Sequence, residues 1–323
     1  MIELIGINEY YSSVYFNLIT KIRDNVIKAE SNYKHQCAFP ENDFVDVINL
    51  LDVVYEKYGF DMHRQLQPAY EHLIIYQNCF STKLNIESVK VAIEFVLLCC
   101  LVDKILDSPR FSNNDKHIVC EKLDIKCLTQ EIEFYSDDFV EIDIFLNMIK
   151  SFLNKSRNTA YYETIIDSIQ KAFKSEIYMS KNFLELNSNK IDSGEIHFLI
   201  DKSIEFEKAA FLLTVIDFQN DKCERIAMIL AKIIWLIDDI ADFVEDIQCK
   251  RINSLLYYFV DDKYNLTLQE RINLAFNNID NAYDMLLNLL NSLQDFNEEL
   301  YNIMLIQVWD WCDNVRRYIE KET

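Results

Sequence analysis

The residues best suited to chemistry in this chain are aspartates at helical spacing. Asp103 and Asp107 close one apolar run, residues 95–102 (FVLLCCLV). Asp238, Asp239, Asp242, Glu245 and Asp246 follow a second, residues 233–237 (IIWLI). Residues i and i+4 stand about 40° apart around a helix axis. Asp103 and Asp107 therefore share a face, as do Asp238, Asp242 and Asp246, while Asp239 points about 100° away. Like charges stacked at this spacing repel. Acids on helices ordinarily form a solvated face with basic neighbours, but no Lys or Arg interrupts residues 238–246. Carboxylates gathered in this way call for cations. Mg²⁺ takes hard oxygen ligands and is held by one or two carboxylates together with substrate phosphates. Such a metal activates diphosphate as a leaving group. In an apolar surrounding, loss of diphosphate from an allylic substrate leaves a carbocation sheltered from water.

The elements that position these acids are helices. The chain of 323 residues has only 3 Gly and 3 Pro, so the tight turns of an all-β fold and the glycine-rich turn of nucleotide-binding folds are both missing. Hydrophobic residues at 50% and charged residues at 26% supply a real core. The spacing of Ile226, Ile229, Leu230, Ile233, Ile234 and Ile237 predicts an amphipathic helix. The expected fold is all-α: a single-domain orthogonal helical bundle over 1–323. Residues 1–85, which hold Pro40, Gly59 and Pro68, form a less regular helical layer, and 86–323 form the core. Loops are expected at Ser108–Asp115, Asn154–Thr159, Asn187–Gly194, Gln219–Lys222 and Asp261–Asn265. The two runs that precede the acids are apolar nearly all round, which predicts central helices.

Charge and cysteines narrow the surroundings. Lys+Arg 32 against Asp+Glu 53 gives a net charge of −21, which repels nucleic acid and anionic membrane surfaces. The nine cysteines form no CxxC pair, and the five histidines form no HExxH. Buried free thiols in a reducing compartment are the reading, and with no basic-then-apolar leader and no transmembrane run, the expected location is the cytoplasm.

These residues resemble the class I isoprenoid synthase superfamily, above all the bacterial class I terpene synthases. The first aspartate-rich motif of that superfamily, DDxxD, is similar to Asp103-Lys-Ile-Leu-Asp107, with Lys104 in place of the second Asp. The DxxxD form of squalene and phytoene synthases matches without a gap. The terpene cyclase second motif is similar to Asp238, Asp242 and Asp246, with Asp242 where Ser or Thr stands. Asp238-Asp239-Ile-Ala-Asp242 also matches the prenyltransferase DDxxD, and Asp242-Phe-Val-Glu245-Asp246, followed by Lys250 and Arg251, the phytoene synthase form. The motifs start 135 residues apart, a separation that suits all three branches. Near the end of the chain, Arg317-Tyr318 resembles the Arg-Tyr pair of bacterial terpene cyclases.

The resemblance implies a Mg²⁺-dependent terpene synthase acting on an allylic prenyl diphosphate. It makes Asp103, Asp107, Asp238, Asp242 and Asp246 metal ligands for about three Mg²⁺ with substrate bound. Lys250, Arg251, Arg317 and Tyr318 become contacts to diphosphate. Trp235, Phe243, Phe95 and Phe183 become candidates to line a hydrocarbon cavity and stabilise cations. A homodimer is compatible with the superfamily. The sequence departs from its relatives in two places. Paired arginines after the first motif are replaced by Arg110 alone, which argues against chain elongation. The diphosphate-sensing Arg of cyclases is missing, leaving Lys190, Lys202 or Lys208 to serve. A prenyl diphosphate synthase and an inactive helical binding protein are the alternatives.

Overall fold

The computed structural model describes residues 20–30, 38–81, 83–123, 137–182, 193–218, 220–248, 253–258 and 266–322. Among them there is no strand, and the chain is all-α as its composition predicts. A helix covers residues 20–30. In chain order there follow α1 (Val45–Tyr58), α2 (Leu66–Phe80), α3 (Ile86–Asp107), α4 (Asn113–Lys122), α5 (Val140–Lys155), α6 (Tyr162–Asn182), α7 (Ser193–Thr214), α8 (Lys222–Gln248), the single turn α9 (Leu255–Tyr258), α10 (Leu268–Phe296) and α11 (Glu298–Glu322). None of the described helices is long and apolar enough to cross a membrane.

The described residues group into two compact units. The first draws on Met1–Lys34, Phe183–Ile200 and Ile229–Thr323, the second on His35–Asn182 and Asp201–Met228. In the second unit α3 is the central helix, packed against α2, α4 and α5. Val89, Ala92, Ile93, Phe95, Leu97, Leu98, Leu101 and Ile105 are buried around its whole circumference. Asn85 begins α3 by accepting a hydrogen bond from the Ser88 amide, which satisfies one free donor of the first turn. Gln77 secures that start. Its amide donates to the carbonyls of Thr214 at 2.5 Å and Asn85 at 3.2 Å, and its oxygen accepts from the Asn85 amide at 2.8 Å. Pro109 ends the helix. The residue before a proline is driven out of the α region, and Ser108 is extended at φ −74° and ψ 129°. Asp103 and Asp107 are thereby fixed in the last turn of α3.

The loop that follows is shorter than the expected Ser108–Asp115. Ser112 and Asp115 form a reciprocal capping box, and α4 starts at Asn113. Arg110, in this loop, donates from Nη1 to the Tyr58 carbonyl at 3.1 Å and so caps the end of α1. Gly59 closes the same helix at φ +74°, a conformation that suits glycine. The expected loop Asn187–Gly194 also needs correction, because Ser193 and Gly194 already belong to α7. Ser and Gly favour helix starts as strongly as loops, so composition alone does not separate the two. The expected loop at Asp261–Asn265 and the earlier part of Asn187–Gly194 lie outside the described residues.

In the first unit α10 packs against α11 and α9 against α10. Thr267 and Glu270 form the capping box that starts α10. The core of this unit includes Leu286, Leu290, Leu293, Leu300, Met304 and Leu305.

Candidate functional site

The first aspartate pair sits where three helices of the second unit meet. Asp103 on α3 accepts from Lys202 Nζ on α7 at 2.7 Å, and the same ammonium lies 2.9 Å from Glu176 Oε2 on α6. Below this charged layer the helices meet through aromatic rings. Phe95 lies 6.2 Å from Phe173 of α6 and 5.4 Å from Phe206 of α7, centroid to centroid. Eight residues separate Phe95 from Asp103, a rise of about 12 Å along the helix. Cys99 lies between them. It is a free thiol pushed well above its ordinary pKa by burial, with Cys100 and the charges of Glu176 and Glu207 adding to the shift. One end of this helix cluster is therefore ionic and the adjoining layer apolar.

Asp103 and Asp107 stand at the C-terminal end of α3, where the helix dipole disfavours anions. Burial pushes the Glu176 carboxyl upward; Lys202 opposes this, while Asp103 and Asp107 reinforce it. Burial alone would lower the Lys202 pKa, but Glu176 and then Asp103 outweigh it and hold the ammonium protonated. Glu207, also on α7, is pushed up to about 7 by burial. Neither Glu176 nor Glu207 belongs to a motif with helical spacing to Asp103, so only the tertiary structure finds them. Of the lysines considered in place of a sensor arginine, Lys208 is buried near Glu224 (3.3 Å) and Glu205 (3.7 Å), and Lys190 lies outside the described residues.

The second aspartate run is organised within the first unit. Trp235 is buried and donates from Nε1 to Ser254 Oγ at 3.0 Å. Ser254 Oγ in turn donates to Asp239 Oδ2. Neighbouring Asn253, fully buried, donates from Nδ2 to the Asp239 carbonyl at 2.8 Å and to Asp246 Oδ2 at 3.1 Å. Its own oxygen accepts from the Leu255 amide at 3.1 Å. Asp239, which the helical wheel turns away from the face of Asp238, Asp242 and Asp246, thus anchors the segment after α8. Burial pushes its carboxyl up to about 6, against the hydrogen bonds from Ser254 and Trp235. Asn253 and Ser254 carry no sequence signal of this role, because they lie past the helix in a short polar stretch.

The apolar run of α8 is buried as a central helix should be, but its acids are not enclosed. Asp238 and Asp242 are exposed, Asp246 is half-buried, and the burial falls on Ile233, Trp235, Leu236, Ile237, Ile240 and Phe243. These buried positions recur at helical spacing, so α8 is amphipathic here and its acids take the open face. Trp235 packs edge-on against Tyr258 at 5.1 Å. Phe183, Lys250 and Arg251 lie outside the described residues. Arg317 and Tyr318 are on α11, with side chains outside the described set.

Among the described residues no three His, Cys, Asp or Glu side chains converge closely enough to enclose an ion by themselves. The donor chemistry still fits Mg²⁺, which takes one or two carboxylates and completes its shell with water and phosphate oxygens. Asp103 and Asp107 on one helix end, and Asp238, Asp242 and Asp246 along one face, are sets of that kind.

No protein-family model and no curated protein matches the sequence. Among solved structures the chain is similar to a linalool/nerolidol synthase from Streptomyces clavuligerus, in complex with 2-fluorogeranyl diphosphate. The identity is 11% and the TM-score 0.49, over 86% of this chain and 98% of that one. At that identity and score the likeness assigns neither chemistry nor residue roles.

Proposed function

We propose that this chain is a Mg²⁺-dependent class I terpene synthase, which ionises an allylic prenyl diphosphate and cyclises or quenches the resulting cation. The observation that carries this reading is the end of α3. There the Lys202 ammonium bridges Asp103 and Glu176, Asp107 stands one turn further on, and the aromatic layer around Phe95 lies about two turns down the same helix. A charged rim over an apolar floor suits a substrate with a diphosphate head and a hydrocarbon tail. In this reading the chain works as one domain.

Asp103, Asp107, Asp238, Asp242 and Asp246 would hold the metal. When bound, Mg²⁺ supplies Lewis-acid activation of the diphosphate leaving group. Asn253 steadies Asp246, and the Trp235–Ser254–Asp239 chain of hydrogen bonds steadies the helix that carries it. Lys250, Arg251, Arg317 and Tyr318 would contact diphosphate oxygens as charged or hydroxyl donors. Phe95 and its aromatic neighbours exclude water from the hydrocarbon. The engagement of Arg110 with the Tyr58 carbonyl supports cyclisation over chain elongation, since it commits part of the one guanidinium near the first motif to structure.

The test is Asp242→Ala. Asp242 is exposed, so the fold tolerates the change. Turnover is expected to fall by orders of magnitude with an unchanged circular dichroism spectrum. Unchanged turnover removes the second motif from the reaction.

A further inference from the structure

We propose that Lys202 is a built-in counter-cation for the first metal-binding carboxylate, which must leave Asp103 before metal can take it. This inference rests on the reading of Asp103 as a metal ligand. Its ammonium lies 2.7 Å from Asp103 Oδ1 and 2.9 Å from Glu176 Oε2, the arrangement of a small cation between two carboxylates. It belongs to α7, whereas the acids belong to α3 and α6, so it is not an ordinary neighbour within one helix. The Lys202 side chain is a third exposed, so a path to another partner is open.

Two consequences follow from charge alone. A divalent cation arriving at Asp103 meets a positive charge already in place, so metal alone binds weakly. A diphosphate arriving with the metal offers the ammonium a better partner than a single carboxylate, because it presents several anionic oxygens. Metal and diphosphate then bind cooperatively, and the released lysine joins the diphosphate side of the site. Lys202 acts through Asp103 and is a positioning residue in this account. Free Mg²⁺ would leave the site largely closed, and only the metal–diphosphate combination would open it.

The opposing signs give a test that a structural role does not mimic. Mn²⁺ is the probe, followed by electron paramagnetic resonance, with and without inorganic diphosphate. The proteins are the full chain, Lys202→Met, and Lys202→Arg as a charge-keeping variant. Lys202→Met is expected to bind Mn²⁺ alone at least about tenfold more tightly, since a like charge a few ångströms from the metal is removed. It is also expected to bind diphosphate less tightly in the presence of Mn²⁺, so that the coupling between the two ligands shrinks. Lys202→Arg should stay close to the parent protein. Equal or weaker binding of Mn²⁺ alone by Lys202→Met, with a parental unfolding temperature, overturns the inference while leaving the metal reading standing. If the parent protein binds no Mn²⁺ even with diphosphate, the metal reading itself falls, and the inference with it.

Discussion

Glu94 provides a direct test of α3 as the central helix. It lies on α3 two turns before Asp103 and is only 4% exposed. The basic residue one turn earlier, Lys90, is committed elsewhere, with its ammonium 2.6 Å and 2.8 Å from the two carboxylate oxygens of Asp46. Glu94 makes no hydrogen bond or ion pair among the described residues. Burial pushes its carboxyl from 4.5 up to about 7, opposed only by the more distant charge of Lys90. A raised carboxyl binds its proton more tightly in the folded state than in the unfolded one. Stability is therefore greatest below about pH 4.5 and is lost as pH rises towards 7. The shift corresponds to about 3 kcal/mol over the whole window. Glu94→Gln removes the ionisation and should abolish this loss. Urea denaturation at pH 4.5, 6 and 8 is the assay, read as the difference between the two proteins because other groups titrate in both. The difference should be small at pH 4.5 and approach about 3 kcal/mol in favour of Glu94→Gln at pH 8. A difference that does not change with pH would refute the burial of Glu94, and with it the enclosed position of α3.

Two further substitutions test how the motifs are supported. Asn253→Ala removes hydrogen bonds to the Asp239 carbonyl, the Asp246 carboxylate and the Leu255 amide, and should cost roughly 2–3 kcal/mol in denaturant unfolding. In the same variant Mn²⁺ binding in the presence of diphosphate should weaken, because Asp246 loses its hold; a stability loss with unchanged metal affinity would separate Asp246 from the metal. Gly59→Ala places a side chain at φ +74° and should destabilise by about 1 kcal/mol. The added carbon would stand 3.7 Å from Arg110 Nη1, an ordinary contact, so the cost is conformational and the Arg110 bond to Tyr58 should survive in the variant's structure.

What was legible in the sequence depends on how local its cause is. The all-helical fold follows from the scarcity of glycine and proline. Pro109 marks the end of α3, and the motif aspartates fall on one face because α-helical geometry is regular. Exposure of Asp238 and Asp242 is a milder case. The apolar residues of α8 cluster on one stripe, but the compact run IIWLI hides that stripe when read as a block. The partners of the acids were not legible. Glu176 comes near Asp103, and Glu207 near Cys99 and Cys100, only because α6 and α7 pack against α3. Lys202 was one of three lysines that sequence spacing left equal, and its place beside Asp103 depends on the same packing. Asn253 and Ser254 matter because they bond to Asp239 and Asp246 of α8, tertiary contacts that no periodicity encodes.

The central claim is that the carboxylates serve an allylic diphosphate. The measurement that tests it most directly is turnover of purified protein with Mg²⁺ and C10, C15, C20 and C25 allylic diphosphates, each with and without isopentenyl diphosphate. Released diphosphate and extracted products, resolved by gas chromatography–mass spectrometry, are the readouts. The account predicts diphosphate release and a hydrocarbon or alcohol without isopentenyl diphosphate, lost when metal is chelated. A longer diphosphate formed only with isopentenyl diphosphate, or no diphosphate release from any of the four, would contradict it.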